Sequence, residues 1–294
     1  MRVMVKVERT MPMRSFSFFR GLTIRACAVA ALAFALPACS LLEEDDTYQQ
    51  SVSDPVDLLY NQGLAAIKAG DYAKATKRFD DIERQYGGTD WARKATLMSA
   101  YASYTGGAYD DAMKSAQRYV TLYPNTPDAA YAAYLYANAN YVQIPDITRD
   151  QAKTMKALGA FEDIIKRWPK SEYVQDAKFK IQVTRDQLAG KEMAVGRFYL
   201  NQKNYPAAIN RFKVVVSTFQ QTRHVEEALA RLTEAYMALG VPAEAQTAAA
   251  ILGNNYPDGQ WYKDTYALVK SGGLEPREDT DSWLSKTFRR MITL

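Results

Sequence analysis

Thiols and imidazoles are nearly absent from this sequence. Two cysteines, Cys27 and Cys39, and one histidine, His224, are all that 294 residues provide. So few soft ligands exclude a zinc ribbon or any Cys/His cluster with metal spacing. A nucleophile–histidine pair would have to be built on His224, which opens a helical pattern in "QQTRHVEEAL" and reads as an exposed surface residue. Neither a P-loop nor a GxSxG elbow occurs. Acidic pairs such as Asp80-Asp81 and Glu226-Glu227 read as solvated charge at helix surfaces. With no catalytic constellation, the chain is not expected to be an enzyme, and no cofactor or metal is expected. Long apolar runs are lacking as well. The uncharged run Ala26–Leu36 has 11 residues, about half of the ~20 needed to span a bilayer. Sustained strand alternation is also missing, which points to an all-α fold.

What the N-terminus does contain is an export pattern. Arg14, Arg20 and Arg25 precede the Ala26–Leu36 run, and small residues follow it. Residues 1–38 therefore read as a cleavable signal. "LPACS" then places Cys39 directly after the cleavage point. This resembles the bacterial lipobox, whose cysteine thiolate receives a diacylglycerol. The alternative is a plain secretory signal with an incidental cysteine. Ser40 at the next position resembles lipoproteins sorted to the outer membrane. Cys27 leaves with the signal and Cys39 carries lipid, so the mature chain has no thiol for a disulfide, as suits an oxidising compartment. Charge shifts too. Residues 1–38 hold six basic residues and one acid, leaving 31 basic against 32 acidic in the mature chain. The basicity belongs to the signal, and nucleic acid loses its electrostatic warrant as a partner. Residues 39–54, rich in acids and polar groups, read as a flexible tether.

The body repeats. "GDYAKATKRF", "GAYDDAMKSA", "KNYPAAINRF" and "GVPAEAQTAA" each place an alanine behind a short turn: Ala75, Ala112, Ala208 and Ala245. The first two are 37 residues apart, as are the last two. Ala157 in "TMKALGAF" marks a fifth copy, flanked by insertions. Helices of the marker copies end near Pro124, Pro169 and Pro257, since proline cannot continue a helix. The pattern resembles the tetratricopeptide repeat, a helix–turn–helix unit. It implies an α-solenoid of about five such repeats, each supplying its neighbour's core. Residues 55–170 hold repeats one to three and residues 171–258 hold repeats four and five. Residues 259–294 are a tail with a short amphipathic helix. Val142–Gln151 reads as a loop inserted within the third repeat, and residues 171–202 as one long helix. The stretch "KSGGLEPREDTD" reads as mobile. "SWLSKTFRRMI" either caps the last repeat or docks on a partner or a membrane surface.

In the tetratricopeptide pattern, groove-facing positions surround the small residue of each first helix. Taking Gly63, Ala100 and Ala137 as those residues gives Tyr60, Leu64, Ile67, Leu97, Tyr101, Tyr104, Tyr134, Asn138 and Tyr141, with Tyr131 one turn earlier. Tyrosine pairs a rigid apolar ring with a polar end and suits peptide contact, although about half of these rings are expected to pack between repeats. Arg93 and Lys94 lie nearby and could attract a carboxylate.

"LMSAYASYTGGAYDDAMKSAQRYVTLYPNTP", "ITRDQAKTMKALGAFEDIIKRWPKSEYVQDAKFKI" and "YPAAINRFKVV", behind a lipoprotein signal, are similar to the BamD (ComL) family of the outer-membrane β-barrel assembly machinery. Where that family has Tyr-Pro after its fourth repeat, this chain has "FQQT", Phe219 to Thr222. The resemblance implies a periplasmic scaffold that binds unfolded outer membrane proteins with its first three repeats. It implies docking of the barrel subunit BamA, among other machinery subunits, by repeats four and five. Arg211 matches an arginine of the family's fourth repeat and is the residue expected near that contact. A generic periplasmic repeat adaptor for cell division or envelope complexes is the alternative; it would lack the "ITRDQAK…SEYVQDA" segment. If acylation at Cys39 is the anchor, Cys39→Ser moves the protein from the membrane pellet to the soluble fraction. Retention of the variant in the pellet after a high-salt wash would remove the lipid from the account.

Overall fold

The computed structural model describes residues 54–292, so the signal, Cys39 and most of the tether lie outside the described residues. Twelve helices and no strand occur among the described residues. In order they are α1 (Val56–Lys68), α2 (Tyr72–Gln85), α3 (Asp90–Thr105), α4 (Tyr109–Leu122), α5 (Ala129–Tyr141) and α6 (Ala152–Arg167). There follow α7 (Val174–Asn201), α8 (Tyr205–Thr218), α9 (Val225–Leu239), α10 (Pro242–Asn255), α11 (Gln260–Ser271) and α12 (Trp283–Ile292). Each helix packs on its successor from α1 to α11, giving five consecutive pairs from α1/α2 to α9/α10. This is an all-α solenoid of tetratricopeptide-like repeats.

Local sequence explains the turns. Within four of the five pairs, the residue at the turn adopts left-handed backbone: Gly70, Gly107, Lys203 and Gly240, with φ of 77°, 79°, 58° and 76°. Glycine does this freely; a side chain there costs roughly 1–2 kcal/mol. Asp71, Thr89 and Asn204 then accept the N–H of Lys74, Ala92 and Ala207 and start α2, α3 and α8. Between repeats a threonine closes the turn. Thr89, Thr126 and Thr222 donate to the carbonyls of Tyr86, Tyr123 and Phe219 at 2.6, 2.9 and 2.7 Å. The turn at "FQQT" thus makes the same bond as "YPNT" without its proline, as "YGGT" at Tyr86–Thr89 also does.

Packing rests on complementary volumes. The five marker alanines, Ala75, Ala112, Ala157, Ala208 and Ala245, are all fully buried. One turn beyond three of them lie Phe79, Phe161 and Phe212, also fully buried. Phe79 fits over Gly63 and Phe212 over Gly196; a Cβ added to those glycines would fall 2.7 and 2.4 Å from the rings. Helix α7 runs unbroken for 28 residues, about 42 Å at 1.5 Å per residue. Its first half shares a core with Phe161 through Ala177 and Ile181. Its second half shares another with Phe212 through Ala189, Met193 and Leu200. The inserted loop 142–151 is fastened to the middle of α7: Gln187 Nε2 donates to the Pro145 carbonyl at 2.9 Å and Lys191 Nζ to that of Thr148 at 3.1 Å.

The tail departs from expectation. Residues 260–271 form α11, which packs on α9 and α10, and "KSGGLEPREDTD" is tied down rather than loose. Gln246 Nε2 donates to the Glu275 carbonyl at 2.7 Å, and the Asp279 N–H donates to Thr247 Oγ1 at 3.1 Å. Helix α12 buries Leu284 and Phe288 in the core of the last two repeats. Trp283 donates to the Tyr236 hydroxyl at 3.4 Å, and Lys213 lies 4.2 Å from its ring centroid. Of the two readings of this helix, the structure gives the cap on the last repeat. Asp81 also departs from expectation. It is only 9 % exposed and pairs with Arg78 and Arg84, because the second helix of the repeat turns that position toward its neighbour.

Two substitutions test the packing. Gly196→Ala overpacks the Phe212 contact and costs about 1–3 kcal/mol, seen as a lower urea midpoint. Lys203→Gly relieves the left-handed strain and raises the midpoint by the equivalent of about 0.5–1 kcal/mol.

Candidate functional site: a tyrosine-lined face

The first helices of the second and third repeats bring Tyr101, Tyr104, Tyr131 and Tyr134 near one another. Tyr101, Tyr104 and Tyr131 pack around Ala100, Ala116 and Leu135, half-buried. In the core of the first pair Tyr60 makes edge contacts with Phe79 at 5.5 Å and Trp91 at 5.3 Å between centroids, and Lys94 lies over Trp91. Tyr134 stacks on Tyr173 at 4.6 Å, and Tyr173 meets Tyr131 at 5.5 Å. Burial pushes the Tyr131 hydroxyl up to about 12, helped by the charges its neighbours Tyr101, Tyr173, Tyr104 and Tyr134 would carry. Tyr60 and Tyr104 are raised by burial too. These hydroxyls remain neutral donors throughout the physiological range.

A polar clamp holds the Tyr134 end. The Tyr134 hydroxyl donates to Asp176 Oδ2 at 2.6 Å. Lys180 Nζ pairs with the same oxygen at 2.7 Å and donates to Asn138 Oδ1 at 2.5 Å. The ammonium also lies 4.9, 5.5 and 5.8 Å from the rings of Tyr134, Tyr141 and Phe161. Burial works against the charge on Lys180, but Asp176 and Tyr134 outweigh it and raise its pKa. At Asp176 burial is likewise outweighed, by Lys180 and Tyr134, and its pKa is lowered. Asn138, expected in the groove, is only 4 % exposed. Its side chain holds Lys180, because the residue turns inward toward α7. Tyr141 packs edge-on against Phe161 at 5.9 Å.

Sequence reasoning placed neither Lys180 nor Trp91 on this face. The spacing Asp176 to Lys180 is that of a helical ion pair and was the available signal. Arg93 is already engaged with Asp90, Asp128 and the Tyr119 hydroxyl at 3.3–3.4 Å, which leaves Lys94 as the exposed cation beside the face. Arg211 sits elsewhere, on α8. Its side chain is 44 % exposed and bonds Glu192 at 3.2 Å.

His224 does not sit on the surface as expected. Its side chain is 17 % exposed, wedged beside Gly190 and Ile147, with Nε2 3.7 Å from Asp186 Oδ2. The inserted loop and α7 cover it. Burial lowers its pKa, and so do the nearby Arg223 and Arg197, while Asp186 and Glu227 act in the opposite sense. A depressed histidine contributes stability that is complete above the unfolded value near 6.5 and is lost as pH falls through the folded value. The single imidazole should titrate below 6.5 by NMR. The unfolding midpoint should fall on acidification through that value, and His224→Gln should flatten the dependence.

Comparison with known proteins follows the same outline. The family described as YfiO, outer membrane lipoprotein, matches residues 53–251. The "Outer membrane protein assembly factor BamD" of Caulobacter vibrioides is 42 % identical over 266 residues, covering 90 % of this chain and 85 % of that protein. The protein of the same name from Rickettsia prowazekii is 38 % identical, covering 85 % and 98 %. That from Neisseria meningitidis serogroup A is 32 % identical, covering 77 % and 89 %. Among solved structures, the P58(IPK) TPR domain is 13 % identical with a TM-score of 0.38, covering 81 % of this chain and 65 % of that one. The chain belongs to the YfiO family of outer membrane lipoproteins.

Proposed function

We propose that this chain is a non-catalytic scaffold in outer membrane protein assembly, a member of the machinery its BamD relatives are named for. It is associated with the outer membrane, held at its periplasmic face by lipid on Cys39. The face built by Tyr60, Tyr101, Tyr104, Tyr131 and Tyr134 receives extended segments of unfolded outer membrane proteins. Repeats four and five, with Arg211, dock the barrel subunit BamA. The observation that carries this reading is the row of half-buried, neutral tyrosines fixed by the Lys180 clamp. Such a surface offers aromatic area and hydroxyl donors without charge, at small cost in side-chain entropy. An extended chain with alternating aromatic residues can lie along it. None of these groups is arranged to break a bond.

Affinity purification of the tagged, detergent-extracted protein tests the assignment, with a β-barrel membrane protein expected as the main companion. Recovery of a periplasmic hydrolase instead would favour the envelope-adaptor alternative. Arg211→Glu should reduce recovery of the barrel subunit several-fold. Glu192→Gln, which frees Arg211 from its partner, should retain it. Equal recovery with Arg211→Glu would take that residue out of the interface.

A further inference from the structure

Past the clamp that holds Tyr134, helix α7 turns two apolar side chains to solvent. Phe179 is 66 % exposed, more than any other large apolar side chain among the described residues, and Val183, one turn further on, is 38 % exposed. Singly exposed apolar residues are ordinary on a protein surface; the place of these two sets them apart. Each follows a member of the clamp by three residues, Phe179 after Asp176 and Val183 after Lys180, and residues three apart are neighbours on a helix surface. The strip they form therefore adjoins the Tyr134 end of the tyrosine face. Exposed Gln175, Lys178 and Gln182 border it. Four residues beyond Val183 the strip is closed off. There Gln187 donates to the Pro145 carbonyl of the inserted loop, and Gly190 lies against Ile147 and His224. Between Asp176 and Gln187 the helix rises about 16–17 Å. One acceptor along this stretch is unspent. The Tyr134 hydroxyl and Lys180 both use Asp176 Oδ2, and Oδ1 has no donor among the described residues.

We propose that this strip is a subsite for two same-side apolar side chains of an extended client segment, with Phe179 and Val183 as its binding residues. The proposal rests on the reading that the tyrosine face receives segments of unfolded outer membrane proteins. Spacing is the first argument. Residues four apart on α7 lie about 6 Å apart along its axis, and side chains on one side of an extended chain recur about every 6.6–6.8 Å. A segment lying along α7 thus sets every second side chain on Phe179 and Val183 and turns the residue between them to water. Strands that line a membrane barrel have that composition, apolar at alternate positions. A helical segment would need a broad apolar stripe opposite it, and two side chains bordered by Gln175, Lys178 and Gln182 do not supply one. The main chain of the segment finds a partner too, since Asp176 Oδ1 is placed to accept one of its N–H groups. Charge is not what is read here. The Lys180 ammonium spends its donors on Asp176, Asn138 and the Tyr134 hydroxyl, so an acidic side chain or a chain terminus gains nothing from it. The inserted loop ends the strip, which accommodates about five residues of extended chain.

The test uses the full mature chain in lipid nanodiscs and a capped, dye-labelled peptide about ten residues long, in which leucine alternates with threonine or lysine. Binding is followed by fluorescence anisotropy. A second peptide has the same composition with its leucines in adjacent pairs, and it should bind about fivefold more weakly or worse. Phe179→Ser should weaken the alternating peptide about fivefold and Val183→Ser two- to threefold. Both positions are exposed, so the urea midpoints should not move. Phe198→Ser removes an exposed ring from the other half of α7 and should leave binding unchanged. Tyr101→Ala reports on the tyrosine face itself. Loss of binding with Tyr101→Ala but not with Phe179→Ser would remove the strip and leave the tyrosine reading in place. Loss with Phe179→Ser alone would keep the strip and remove that reading. Absence of binding, or binding indifferent to both changes, would remove both. Equal binding of the two peptides, or an equal effect of Phe198→Ser, would also overturn the proposal.

Discussion

The close approach of paired helices is the constraint on which this molecule depends. A phenylalanine on the second helix fits over a small residue on the first: Phe79 over Gly63 and Phe212 over Gly196, with Phe161 beside Ala137 in the third pair. The second pair differs. Ala100 is matched with Ala116, at the position where the first, third and fourth pairs have phenylalanine. Tyr101, Tyr104 and Tyr131 pack around that pair from the first helices instead. These tyrosines thus lie where the second pair lacks a phenylalanine, as the fifth pair, with Ala249 at that position, also does. The rings that line the tyrosine face also fill the space between repeats, so each stays half-buried and its outer edge remains available.

Helix α7 gives that face its fixed end. Being continuous, it carries Asp176 and Lys180 in one core and Met193 and Leu200 in the next. Lys180 is buried enough for its charge to be costly if left alone. Asp176, Asn138 and three aromatic rings compensate it, and breaking any one of them exposes the others to that cost. The inserted loop grips the same helix near Gly190, with His224 wedged alongside. Two halves of the solenoid are thus joined by a rod supported from the side. A bare turn at this point would leave the angle between them less defined.

The architecture was legible because alanine markers, turn glycines and terminal prolines depend on local geometry that sequence spacing reports directly. The long helix through Gly190 and the loop at 142–151 were legible for the same reason. Tertiary contacts were not. His224 looked exposed because nothing in "QQTRHVEEAL" reveals that the inserted loop, far away in sequence, covers it. Asn138 and Tyr134 fell on the expected face of α5, but the partner that turns Asn138 inward, Lys180, lies on another helix. Asp81 read as solvated because its arginine partners are common surface residues. Helix α11 was missed because "QWYKDTYALVKS" lacks the alanine marker of a repeat, and its helicity depends on packing against α9 and α10.

The closing helix decides how the stack of repeats ends. A stack of repeats leaves its last pair with an unfinished apolar surface that another stack could continue. Leu284 and Phe288 occupy that surface from within the same polypeptide, and the segment leading to them is bonded to α10. Growth at this end is thereby terminated in cis. The number of stacked repeats is therefore fixed by the polypeptide itself, with no second copy needed to complete the surface at this end.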